Sequence, residues 1–367
     1  MVSLGAVLRG WGRIGVLGFG GPPAHIRMLR QLTVERERWI SPEEFEDAVA
    51  TCNLLPGPSS SQMALYTAWR VAGARGALVG GTAFIAPGLV VILLLAALFL
   101  SGEPPRWVLG AGAGAGAAVP AVAVSAGWSL VPASWERAVS RARWAVYLLA
   151  GLVATPLIGA WVVVVLLGCG LVELLLQQQR VLGLVPPLVV HAGAGGGSVA
   201  ALGWLGFKVG ALSYGGGFVV IPLMQADAVG RHHWMSGQDF LNAVALGQIT
   251  PGPVTHTVAV VGYAAAGLGG ALLADVVAFV PSYLFVLLGG RHFDRIRAYP
   301  PARSVLDGAG PAAIGAILGS AITLGRALTE PWQYGVLALA GVALFVARRG
   351  VVSTLLGAAV VGTLLYR

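Results

Sequence analysis

Long apolar runs, broken by short polar punctuation, organise this chain. Six of them are apolar over the roughly 20 residues that a bilayer-spanning helix needs: Gly76 to Leu100, Val108 to Val131, Trp144 to Leu176, Gly267 to Gly289, Val305 to Leu324, and Trp332 to Tyr366. The third and the last hold too many residues for one crossing. Pro156 interrupts one and Arg348-Arg349 the other, so each is predicted to be a hairpin of two helices. No Lys/Arg-flanked leader ending in a small-residue cleavage site opens the chain, so the first helix is expected to be retained.

Composition agrees with this pattern. Of 367 residues, 57% are apolar and 10% charged, whereas a soluble domain carries about 25% charged residues. The fold class expected is an all-α polytopic membrane protein, with the lipid bilayer as its solvent. The net charge of +8 does not indicate nucleic acid, because the arginines cluster in short loops between apolar spans, as the positive-inside rule requires. Cys52 and Cys169 lie far apart inside apolar segments, where small buried hydrophobes are expected rather than a disulfide or a metal cluster.

The chain is written twice. An offset of 195 places Phe19-Gly20-Gly21 on Tyr214-Gly215-Gly216, Arg13 on Lys208, Trp39 on Trp234, and Pro56-Gly57-Pro58 on Pro251-Gly252-Pro253. With one residue removed, Gly73 falls on Gly267 and Pro87 on Pro281. Two aromatic-Gly-Gly triplets and two Pro-Gly-Pro triplets in one register are not a chance match. The copies are read as 1–180 and 198–367. Residues 181–197, with Pro186-Pro187 and Gly195-Gly196-Gly197, form the linker.

Loop charge predicts that the copies are inverted. Arg27 to Arg38 holds four arginines, and its counterpart from Pro222 to His233 only Arg231. Arg291 to Arg303 holds four, and its counterpart from Ser101 to Arg106 one. Equivalent loops then face opposite sides, which needs an odd number of crossings per copy. Five fit: near 3–19, 77–100, 108–131, 144–156 and 158–177, then near 198–214, 268–290, 304–325, 332–347 and 350–366. Each Pro-Gly-Pro is left in a re-entrant hairpin, the arginine-rich loops are cytoplasmic and both termini lie outside.

Pro-Gly-Pro ends a membrane helix, since proline donates no N–H and glycine supplies the dihedrals of a tight turn. At membrane depth such a break survives only against protein or a water-filled cavity. Behind Gly57-Pro58 a new helix opens with Ser59-Ser60-Ser61-Gln62, and behind Gly252-Pro253 with Val254-Thr255-His256-Thr257. Helix N-termini attract anions through unpaired N–H groups and the macrodipole. Gly20-Gly21-Pro22-Pro23, with His25 one turn on, and Gly215-Gly216-Gly217 suggest a second pair of breaks. One such motif alone reads equally well as a kink or packing point. Four, in corresponding places beside polar donors, point to the binding site of a transporter.

Charge inside the spans is scarce and costly. Lys208 is the single lysine, within the nearly uncharged Gly203 to Gly217, and is expected to face a cavity or a counter-charge. Lys208 and its mate Arg13 would balance a doubly charged anion if both face inward, and would otherwise snorkel to an interface. Asp275 and Glu173 are the candidates for proton coupling, against a packing or helix-end role. His232-His233 lacks matching ligands and the Gly-Ala alternation from Gly110 to Ala118 lacks the lysine of a phosphate loop. Neither a metal nor a cofactor is called for.

Phe-Gly-Gly-Pro-x-Ala-His-Ile at 19–26, Leu-Pro-Gly-Pro-x-x-x-Gln at 55–62, Tyr-Gly-Gly-Gly-x-x-x-Ile-Pro at 214–222 and Gly-Gln-x-Thr-Pro-Gly-Pro-Val at 247–254 resemble the paired motifs of the chromate transporter (CHR) family. The stretch around Lys208, before the second glycine triplet, fits as well, and the likeness runs over nearly the whole chain, in the manner of the two-domain, long-chain branch. Asn53 departs from it, standing where glutamine is expected. The resemblance implies efflux of chromate, a tetrahedral dianion, across the inner membrane of a bacterium, and resistance to it. Sulfate, of the same shape and charge, is an implied competitor. An anion channel and an uptake system for sulfate or another oxyanion remain as rivals, with a membrane-embedded enzyme as the remote one. No pair of catalytic carboxylates, Gly-x-Ser-x-Gly or metal cluster favours the last. Monomer and oligomer both stay open.

Overall fold

The structure, a computed structural model, describes residues 2–54, 57–100, 104–177, 198–213, 220–290 and 300–366. Among these, every regular element is a helix. The linker 181–197, Pro56, the triplet containing Gly215 and Gly216, and most of the loop 291–303 lie outside the described residues.

The first copy holds α1 (Leu4–Leu17), α2 (Pro22–Arg30), α3 (Pro42–Leu54), α4 (Ser59–Phe99), α5 (Arg106–Glu136), α6 (Arg141–Ile158) and α7 (Val162–Gln177). The second holds α8 (Ser198–Leu212), α9 (Val220–Gln225), α10 (Gly237–Ile249), α11 (Thr257–Gly289), α12 (Pro300–Gly325), α13 (Pro331–Gly341) and α14 (Val351–Leu365). The sequence repeat reappears as geometry. α2 and α9 each run into a π turn, Gln31–Arg36 and Ala226–Arg231. Each turn is closed by a tryptophan N–H, Trp39 to the Thr33 carbonyl and Trp234 to the Ala228 carbonyl, both at 2.8 Å.

Four elements carry apolar stretches long enough to cross a membrane: Ser59–Phe99, Arg106–Glu136, Val254–Gly289 and Arg303–Gly325. The chain is a multi-pass membrane protein, and large apolar side chains such as Leu94, Leu157, Val346 and Leu364 stand exposed on its outer face. The remaining expected crossings do coincide with helices, but these are shorter, from 11 residues in α13 to 18 in α6. Pro156 is not the interruption that its sequence position suggests. It sits inside α6, which ends at Ile158, and Gly159 makes the turn at φ 54°.

Neither α4 nor α11 is one straight helix. Gly73 (φ 66°, ψ −159°) and Gly267 (φ 63°, ψ −155°) reverse the chain. A Cβ on Gly80 would lie 2.5 Å from the Ala68 Cβ, twelve residues back, and one on Gly81 2.2 Å from the Leu65 side chain. Residues 59–71 and 74–99 are therefore antiparallel arms, and this register brings Ser59 level with Pro87, halfway along the long arm. α3 and the short arm of α4 flank Pro-Gly-Pro as the two legs of a hairpin whose tip stops at mid-height.

Small residues set the close contacts, as expected where lipid removes most of the hydrophobic drive between helices. A Cβ on Gly15 would meet the Phe84 carbonyl at 2.6 Å, and one on its mate Gly210 the Ala278 carbonyl at 2.0 Å. The second long helix of each copy packs mainly on the other copy: α5 against α13 and α14, α12 against α6 and α7. Gly315 and Gly151 carry the second of these contacts, each with room for a Cβ only 1.9 Å from a carbonyl across the interface, Leu148 and Ala312 respectively. Overpacking costs roughly 1–3 kcal/mol even where side chains can shift, and here the obstacle is backbone. Gly315→Leu is expected to abolish the monodisperse species in detergent. A variant that melts like wild type would show this seam to be looser than drawn.

Candidate functional site

Each Pro-Gly-Pro turn reaches across to the other copy. The Gly57 N–H donates to the Ser213 carbonyl at 2.8 Å, and the Gly252 N–H to the Gly18 carbonyl at 2.9 Å. Ser213 is Gly18 displaced by the repeat offset, so each turn is tied to the end of the first helix of the other copy. The two contacts are reciprocal. Gly57 (φ 128°) and Gly252 (φ 87°) take backbone angles that side chains disfavour. The turn of the second copy also seats on the middle of the long arm of α4, where a Cβ on Gly88 would lie 2.4 Å from the Pro251 carbonyl.

Behind the turns, Ser59 opens α4 and Val254 opens the short 3₁₀ turn that leads into α11. Both starts are capped by prolines without a side-chain hydrogen bond. Both line one cavity of about 1070 Å³, together with Gly20, Gly21, Pro22 and Pro23 at the start of α2, and Gln248 of α10. Three helix starts from the two copies therefore face one space, each with the positive end of a dipole; those at Ser59 and Val254 also supply N–H groups, whereas α2 opens with Pro22 and Pro23, which have none. The cavity follows α5 from Ser125 to Ala138 and α12 from Ile317 to Arg303, about 20 Å of helix at 1.5 Å per residue. Its far end carries Arg137, Arg303 and Asp307.

Several candidates sit just behind this lining. Ser60, Gln62, Thr255, His256 and His25 are buried, and Gln62 folds its amide back over Gly57. The hydroxyls of Ser61 and Thr255, the Gln248 Nε2, the His25 Nδ1 and the His256 Nε2 are buried without a hydrogen-bond partner. His25 and His256, one from each copy, both adjoin the crosswise bond at Gly18. The His25 Nε2 bonds to the Gly18 carbonyl at 2.8 Å, and the His256 ring lies against Gly88 and Gly252.

Other candidates go elsewhere. Lys208 is ion-paired with Asp227, lies over the Trp204 ring at 5.9 Å and does not line the cavity. Arg13 is exposed on α1, makes no ion pair among the described residues and does not mirror Lys208. The reason is that the Asp227 position is Leu32 in the first copy, so no counter-charge draws Arg13 inward. Glu173 is buried and held by Arg143 at 3.0 Å, Tyr147 at 2.9 Å and Gln177 at 2.7 Å. Gln177 in turn accepts from Ser304 at 2.7 Å, close to Asp307 at the cavity mouth. Asp275 bonds to the His256 Nδ1 at 2.8 Å. Among the described residues, no cluster of three or more His, Cys, Asp or Glu side chains fits a metal.

The sequence reading missed the cavity wall. Ser125 and Ser129 stand four apart, on one face of α5, followed by Ser134 and Arg137. That spacing was legible, but nothing local says that the face lines a cavity and not lipid. Gln248 lies inside the motif at 247–254 and was legible there.

The comparisons agree with this architecture. The chromate transporter family profile matches residues 5–174 and again 200–363. The chain is 30% identical to the chromate transport protein of Cupriavidus metallidurans, over 96% of this chain and 91% of that one. It is 30% identical to the chromate transport protein of Pseudomonas aeruginosa, over 87% and 80%. With the probable chromate transport protein of Synechococcus elongatus the identity is 28%, over 86% and 82%. No solved structure matches. With the profile covering both copies and relatives aligned over nearly their full lengths, the chain belongs to the chromate transporter family.

Proposed function

We propose that this protein is a secondary transporter that exports chromate across the inner membrane of the cell and so confers chromate resistance. The observation that carries this reading is that the two Pro-Gly-Pro turns, one from each copy, open their helix starts into one cavity. A tetrahedral dianion needs several donors and positive dipole ends converging from different directions, and the helix starts at Ser59 and Val254, the dipole end of α2, and the buried, unpartnered Ser61 and Thr255 hydroxyls and Gln248 amide nearby offer them. The names of the relatives support chromate as the anion. Sulfate offers the same geometry and is the expected competitor.

In this reading the halves are inverted repeats with ten crossings and both termini outside. The crosswise hydrogen bonds support the inversion. The cavity ends at Arg137, Arg303 and Val351, beside the arginine-rich ends of the helices, which the positive-inside rule makes cytoplasmic. Chromate then enters from the cytoplasm. A dianion leaving an interior at −100 mV gains about 4.6 kcal/mol, twice the value for one charge, so no nucleotide is needed.

Purified protein in vesicles tests this. Labelled chromate is expected to leave vesicles whose potassium-diffusion potential makes the interior negative, to saturate, to be competed by sulfate, and to show counterflow when unlabelled chromate is present on the far side. Saturation without counterflow would mark an anion channel. No protein-dependent chromate flux would end the transport reading.

A further inference from the structure

His256 and Asp275 form a pair with no solvent contact, at 0% and 1% exposure. The pair belongs to one copy only. The repeat offsets place Ser61 or Gln62 at the His256 position and Gly81 at the Asp275 position, so the pair stands outside the two-fold design that builds the turns. An uncompensated charge at this depth would be opposed by the low-dielectric surroundings. The imidazole Nδ1 lies 2.8 Å from the carboxylate Oδ1; with the carboxylate ionised, which can then only accept, Nδ1 carries the hydrogen. The free lone pair is then on Nε2, which has no partner. That atom lies under the turn, 3.7 Å from where a Cβ on Gly252 would stand, one turn behind the helix start at Val254.

We infer that the His256–Asp275 pair is a proton-binding site loaded together with the oxyanion, so that one proton travels with each dianion. This rests on the oxyanion reading of the cavity. The proton adds to the Nε2 lone pair, while Nδ1–H stays on the carboxylate. A pair with charge −1 becomes a neutral imidazolium–carboxylate pair, and on the far side the same proton leaves Nε2 for water. Two adjacent negative centres, a dianion and an uncompensated aspartate, repel one another. Binding of either the dianion or the proton therefore favours the other. Among the described residues, His25 of α2 is a further titratable group facing this position; it adjoins the pair through Gly18 and Gly252, and its Nε2–H is committed to the Gly18 carbonyl. α4 presents Gly88 and Phe84 here, and α8, packed on the same helix at Ala274 and Ala278, directs Lys208 to Asp227. One proton per dianion leaves one negative charge moved outward per cycle, so transport should respond to a pH gradient as well as to potential.

The test uses the full chain in vesicles at alkaline pH, where chromate is the dianion, with potassium and valinomycin clamping the potential at zero. An entrapped pH dye follows protons and labelled chromate follows the anion. Wild type is expected to move protons in the direction of chromate, in a ratio near one, and to drive chromate uphill on a pH gradient alone. Asp275→Asn is expected to lose at least ten-fold of the proton flux and all pH-driven accumulation, and Asp275→Glu to recover part of both. If Asp275→Asn does not fold, the wild-type ratio still decides. Chromate flux without proton flux in wild type overturns this inference and leaves the transport reading standing. No chromate flux at all overturns both.

Discussion

Gly57→Leu and Gly252→Leu are each expected to abolish saturable chromate flux, with Gly57→Leu the more damaging to the folded protein. Both glycines hold φ values in the left-handed half of the map, where a side chain costs of order 1–2 kcal/mol. They also donate the two crosswise N–H bonds that tie each turn to the other copy. A shift in either turn moves the helix start behind it, Ser59 or Val254, away from the cavity. The two differ in surroundings. A Cβ on Gly57 would fall 2.4 Å from the Gln62 amide, whereas one on Gly252 meets nothing closer than 3.7 Å. Gly252→Leu is therefore the cleaner probe: normal yield and melting, lost flux. As a graded control, Ser60→Ala should weaken chromate by about 1 kcal/mol, near fivefold, if its hydroxyl serves the anion. Normal flux from a well-folded Gly252→Leu would show the turns to be folding features only.

How much of this was legible in the sequence depends on the range of the interaction. The helix break at Pro-Gly-Pro is local chemistry, and the pairing of the two breaks follows from a repeat that needs only counting. Both read directly. The reversals at Gly73 and Gly267 were legible as an equivalent pair but not as turns, because a single glycine between apolar runs reads equally as a packing point. Pro156 misled for the opposite reason. A proline inside a helix is costly in water, but it is tolerated in a membrane bundle where neighbours satisfy the freed carbonyl. Here α12 closes on α6 at that level, with Gly319 against Leu152. The cavity wall of α5 and α12 was out of reach. Whether Ser125 and Ser129 face lipid or a cavity is decided by which copy each helix packs against, and the two copies exchange their second long helices.

The double variant Lys208→Gln/Asp227→Asn is expected to restore what each single substitution removes. The sequence offered three readings of the single lysine, a cavity, a counter-charge or an interface, and the structure supplies the counter-charge. Asp227 is 3% exposed at its side chain and Lys208 14%. The second carboxylate oxygen of Asp227 is buried without a partner, so the pairing of this acid falls to Lys208. Breaking such a pair by removing one member costs roughly 3–5 kcal/mol, while replacing both members by neutral groups of similar shape is often close to neutral. Lys208→Gln should therefore lower the yield of folded transporter sharply, and Asp227→Asn should do so less, since an unpaired ammonium over the Trp204 ring keeps a cation–π contact. The double variant should recover a monodisperse protein. Flux then separates the two roles. Because Lys208 does not line the cavity, chromate export should return with the fold, at a similar KM. A double variant that folds normally yet moves no chromate, while Asp227→Asn alone does, would place Lys208 in the path of the anion after all, with Asp227 as the partner from which the dianion takes it.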